Sequence, residues 1–135
     1  MKSYEIRQQY FDECRAEANR IMNRLGIEEP RCGFGIGLGW MPVVERALEE
    51  MIAAGWDREL HQVKQKFCGL RIYIGAGQWT RGDELRPTSI GAAILRAEKE
   101  CESICEVCGK EREKKGTRSG WALCDACEAS DGKAF

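Results

Sequence analysis

Residues 60–76 read LHQVKQKFCGLRIYIGA, and a period of two sets this stretch apart from the rest of the chain. Val63 and Phe67 alternate with Lys64 and Lys66; Leu70, Ile72 and Ile74 then alternate with Arg71 and Tyr73. Alternation at every second residue puts one side-chain set on each face of a strand. With Cys68-Gly69 between the two runs, the pattern predicts a tight antiparallel hairpin. Val63, Phe67, Leu70, Ile72 and Ile74 are expected on its buried face, which turns Lys64, Lys66, Arg71 and Tyr73 outward together.

On either side of the hairpin the period is helical. Ile6, Tyr10, Cys14, Ala18, Ile21 and Leu25 follow one another by four and three residues, which predicts a long amphipathic first helix from Ser3 to Leu25. Ser3 suits its N-cap and Gly26 its end. In EEPRCGFGIGLGW glycines recur at 33, 35, 37 and 39, and an irregular loop is expected. Pro42 suits the first turn of a second helix carrying Val44, Leu48, Met51 and Ile52 up to Gly55. After the turn-rich GAGQWTRGDELRP, Thr88 or Ser89 opens a third helix with Ile90, Ile94, Ala97, Cys101 and Ile104 on one side. The expected fold is α+β: a helix-helix-β-hairpin-helix core over residues 1–104, with a C-terminal four-cysteine module over residues 105–135 packed on the last core helix.

The chain has 135 residues, 32% of them charged, and a formal net charge of −1. That length suits one compact domain with an appendage, and the balanced charge offers little general attraction to a polyanion. The N-terminal MKSYEIRQQYFDEC is charged throughout, with no apolar run of signal-peptide or membrane-span type, so a cytoplasmic protein is expected. In a reducing compartment, closely paired cysteines bind metal more often than they form disulfides.

Residues 105–127 supply the pairs: Cys105 and Cys108, fifteen intervening residues, then Cys124 and Cys127. Two residues between cysteines let one tight turn aim both sulfurs at a single ion, and four thiolates suit tetrahedral Zn²⁺. Gly109 supplies the freedom that such a turn needs. A complete four-sulfur shell leaves no open position for water, so the zinc is expected to be structural and the protein not an enzyme. The single histidine, His61, is followed by Gln62 and Val63 and matches no zinc-deaminase pattern. A fully thiolate site would also accept iron.

Two resemblances add to this. The sequence CEVCG, followed by Gly120-Trp121-Ala122-Leu123-Cys124-Asp125-Ala126-Cys127, resembles a GATA-type treble-clef finger. It departs from that family in a shorter central spacing and in having no strongly basic tail, so the family's DNA reading is not carried over. Over residues 39–127, Gly39-Trp40 opening a helix, KQKFCGLRIY at 64–73 and CEVCG at 105–109 resemble a family of small phage and prophage proteins. Cys68 stands where that family has glycine. The resemblance implies mobile-element origin in a bacterial host and accessory status; an inhibitor of a host defence system, of the anti-CRISPR kind, is one form consistent with it.

Cys14 and Cys101 fall on apolar stripes and are expected in the core. The spacing does not assign roles to Cys32, Cys68 or His61. Lys64, Lys66, Arg71 and Tyr73 on the hairpin, with Lys110, Arg112, Lys114, Lys115 and Arg118 in residues 109–118, are the candidates for touching a partner. A basic face with an aromatic suits single-stranded nucleic acid, and equally any solvated hairpin face. The expectation is a non-enzymatic, zinc-stabilised binding protein with a protein partner; a nucleic-acid-binding accessory protein is the alternative.

Overall fold

The computed structural model describes residues 3–75, 78, 88–113 and 120–130. Helix α1 spans Ser3–Leu25 and α2 spans Met41–Ala53, the latter preceded by a 3-10 turn at Leu38–Trp40. Gly26 and Gly55, with φ of 68° and 97°, follow these helices as the sequence suggests. Helix α3 spans Ser89–Cys101, and its N-cap is Thr88, whose Oγ1 accepts from the amide of Gly91 at 3.0 Å. Most of the GAGQWTRGDELRP segment lies outside the described residues.

The hairpin consists of β2, Leu60–Lys66, and β3, Gly69–Ile74, paired antiparallel with Val63 opposite Ile72 and Lys64 opposite Arg71. Its turn lies one residue earlier than the sequence suggests. Phe67 and Cys68 occupy the two central positions with φ of 53° and 61°, the geometry of a type I′ connection. Phe67 is therefore not on the buried face. It projects from the hairpin tip, 85% exposed. The glycine loop is not wholly irregular either: Phe34–Gly35 forms β1, which pairs parallel with β2 and completes a three-stranded sheet in the order β1-β2-β3.

Helix α3 packs on β3, α2 on α3, and α1 reaches both α2 and β1. Ile21, Trp40, Val44, Leu48, Met51, Val63, Leu70, Ile72 and Ile94 are buried in one continuous core. Cys14 and Cys101 lie in it, as their stripes imply. At the surface, Arg20 and Arg24 of α1 bond Glu45 of α2, and Arg46 and Arg96 join α2 to α3 through Glu100 and Glu50. No helix among the described residues is long and apolar enough to cross a membrane.

Candidate metal centre and hairpin face

The four paired cysteines converge. Their sulfurs all lie within 4.8 Å of one another, and Cys108 Sγ is 3.6 Å from Cys124 Sγ. A tetrahedral ion with metal–sulfur bonds of about 2.3 Å would set its ligands about 3.8 Å apart, so the cluster fits one metal ion. The first pair sits on a tight knuckle. The amide of Gly109, at φ 79°, donates to Cys105 O at 2.9 Å, and that of Lys110 donates to Cys108 Sγ at 3.5 Å. The second pair opens a short helix α4, Asp125–Ala129, with Cys124 at its N-cap. There the amide of Cys127 is the main cause that lowers the Cys124 thiol to about 7. Burial pushes the Cys108 and Cys127 thiols up, a tendency that a bound cation reverses.

This module rests on more than the last core helix. Gly39 donates its amide to Glu106 O at 2.8 Å. Trp40, fully buried, donates its indole Nε1 to Ile104 O at 2.8 Å. The backbone approach is close enough that a methyl group on Gly39 would run into Cys105 O and lie 2.5 Å from Gly109 N.

Two charged residues are buried where the module meets the core. Glu106 is 1% exposed; its Oε1 accepts from the amide of Ala122 at 2.8 Å and from Gln65 Nε2 at 3.2 Å, and burial raises its pKa. Arg112 is 4% exposed and donates to three carbonyls: Ile104 at 2.9 Å, Cys101 at 3.0 Å and Cys68 at 2.9 Å. It caps the C-terminal end of α3 and holds the hairpin turn. It is thus not an exposed charge available to phosphate or to a partner, which corrects its place among the surface candidates. Lys110 is exposed, whereas Lys114, Lys115 and Arg118 lie outside the described residues.

On the hairpin, Lys64, Lys66 and Tyr73 share the outward face with Arg71. Lys64 Nζ lies 5.9 Å from the Tyr73 ring centre and Lys66 Nζ 5.4 Å from that of Phe67. Arg71 is half-buried, donates to Leu70 O at 2.9 Å and approaches Glu98 at 3.9 Å, so part of its charge is already engaged. His61 is exposed, 3.5 Å from Glu59. Cys32 is exposed, while Cys68 is buried with its sulfur 3.6 Å from Gly120 O. Gln65, Phe67, Glu106 and the inward role of Arg112 are not legible from motif spacing.

No protein-family model matches the chain, nor does any curated protein or solved structure. Fold and site together define a small α+β protein with a four-cysteine cluster that can hold a metal ion.

Proposed function

We propose that this chain is a non-enzymatic, zinc-stabilised binding protein whose contact surface is the tip and outward face of the β2–β3 hairpin, and whose partner is another protein. Phe67 carries the proposal. A bulky aromatic in the left-handed region costs about 1–2 kcal/mol, and at 85% exposure the ring recovers little of that by burial. Strain at an exposed position is a feature of binding sites, and an aromatic beside the Lys66 ammonium, with Lys64 further along the same face, suits an apolar pocket rimmed by acidic groups. Lys64 and Lys66 form no ion pair among the described residues, so both ammonium groups remain open to such a rim.

Zinc is favoured over iron by its preference for closed, tetrahedral thiolate sites in small structural modules. A treble-clef architecture is supported by the tight knuckle at the first pair and by the second pair opening a helix. Four thiolates fill the coordination shell, which supports a structural metal and a protein without catalytic metal chemistry. The resemblance of residues 39–127 to small phage proteins supports mobile-element origin, in which occupying a surface on a host or phage macromolecule would be the whole activity.

The test is capture of interacting macromolecules from bacterial lysate by the full zinc-loaded chain, compared with the K64E/K66E/F67A variant. The expected result is one stoichiometric protein partner, retained with modest salt dependence and lost in the variant. A nucleic-acid partner is the alternative, supported by an exposed aromatic on a basic face, Tyr73 with the Lys64 ammonium 5.9 Å from its ring centre. Tight binding to unrelated DNA that falls steeply with salt and disappears in the variant would establish it instead.

A further inference from the structure

One of the two residues that form the hairpin turn, Cys68, is tied to the metal module through its own backbone. The amide of Cys68 donates to Gln65 Oε1 at 3.2 Å, and the Gln65 amide nitrogen donates onward to Gly120 O at 2.6 Å and Glu106 Oε1 at 3.2 Å. The carbonyl of Cys68 accepts from Arg112 at 2.9 Å. Gly120 precedes the second cysteine pair, Glu106 lies within the first, and Arg112 follows the first knuckle. Both polar backbone groups of Cys68 therefore end on side chains fixed by the module.

We propose that metal binding sets the shape of the hairpin tip: the thiolate cluster orders Gly120, Glu106 and Arg112, and these in turn hold Phe67 and Cys68 in their left-handed conformation. The turn has no asparagine or glycine of its own at either central position, so local preference does not supply that conformation. It is imposed from outside. Small thiolate modules owe much of their order to the metal, so its removal frees all three anchors together. A partner reading Phe67 would then meet a preorganised tip only in the loaded protein. This rests on the hairpin being the contact surface, but the coupling itself is a property of the isolated chain.

The experiment is amide hydrogen exchange on the full chain, first loaded with zinc and then stripped with a chelator, metal content being measured in both states. Exchange at Cys68 should rise about tenfold or more on stripping while Lys64 and Arg71, the paired residues in the middle of the β2–β3 ladder, and Val63, whose amide donates to Gly33 O, stay protected, and re-added zinc should reverse the change. A Gln65→Met variant, with zinc still bound, should show faster exchange at Cys68 on its own. Unchanged exchange at Cys68 in verified metal-free protein overturns the coupling, as does loss of protection across the whole hairpin at once, or a Gln65→Met protein indistinguishable from the parent. None of these readings involves a partner, so failure of the coupling is separable from failure of the binding proposal, which the K64E/K66E/F67A comparison decides.

Discussion

The indole nitrogen of Trp40 and the guanidinium of Arg112 converge on a single carbonyl, that of Ile104, at 2.8 and 2.9 Å. One donor comes from the start of α2 and the other from beyond the first cysteine knuckle, so this oxygen is where core and module are fastened. Trp40→Phe keeps most of the buried ring but removes one donor. It should cost about 1–3 kcal/mol and lower the melting temperature by several degrees, with the metal released at lower chelator concentration than in the parent. Calorimetry and chelator competition measure the two effects, and an unchanged chelator midpoint would show that the seat is not coupled to the metal.

Gly39 and Gly35 make a paired comparison. A methyl group on Gly35 meets nothing within 4 Å, whereas one on Gly39 meets the backbone of Cys105 and Gly109. Backbone cannot swing aside as a flexible side chain can. Gly39→Ala should therefore destabilise by about 2–4 kcal/mol and weaken metal retention, while Gly35→Ala stays within about 1 kcal/mol of the parent. Equal melting temperatures for the two variants would contradict the close approach.

Much of this fold was legible because its periodic signals are local. The stripe from Ile6 to Leu25, the Thr88 cap and the alternation through Leu70, Ile72 and Ile74 each announce their element within a few residues. What failed to show depends on distant partners. Strand β1 is two residues long among glycines, and only the parallel pairing of Phe34 with Val63 makes it a strand. Phe67 reads as the next residue of an alternating run, yet the ladder closes at Lys66 and Gly69 and leaves it in the turn. Arg112 sits in a hydrophilic, charged segment, and its burial follows from carbonyls at the end of α3 and in the hairpin that no spacing reveals. The cysteine pairs lie at the other extreme: their spacing alone foretold the cluster.

Zinc-loaded protein should contain one ion per chain, with metal–sulfur distances of about 2.3 Å by X-ray absorption. Cys124→Ser removes the ligand at the start of α4 and should abolish tight metal binding. Because Glu106 and Arg112 lie between module and core, protection should also fall at the hairpin turn, while the packing of α1 on α2 persists. Disulfides among the four cysteines in folded protein purified under reducing conditions and then assayed without added oxidant would remove the metal centre altogether.

Acid should loosen the attachment of α1 before it melts the core. The Arg20 hydrogen bond is the largest cause holding the Glu45 carboxyl below its ordinary value of 4.5, with Arg24 adding to it. A depressed folded-state pKa means that the contribution is fully present above the unfolded value and disappears as pH falls through the folded one. Glu45→Gln should therefore lower the melting temperature slightly at neutral pH, by less at high salt, and the difference from the parent should shrink as pH falls below the ordinary value of 4.5 and disappear once Glu45 is protonated in the folded protein. A difference that grew on acidification would have the wrong sign.

Replacing Phe67 by asparagine separates stability from function. Asparagine tolerates the left-handed region far better than phenylalanine does, and the ring it replaces is 85% exposed, so little burial is lost. The Lys66 ammonium 5.4 Å from the ring is at the surface and contributes weakly. Phe67→Asn should therefore raise stability by about 0.5–1 kcal/mol, seen as a higher denaturation midpoint with an unchanged slope. If the hairpin tip is the contact surface, the same variant should lose partner affinity by about tenfold or more, as central aromatic anchors do. A gain in stability with full retention of binding would leave Phe67 without a role in recognition. A loss of stability would mean instead that the ring is held by contacts that its exposure does not reveal, and the strain argument would fail with it.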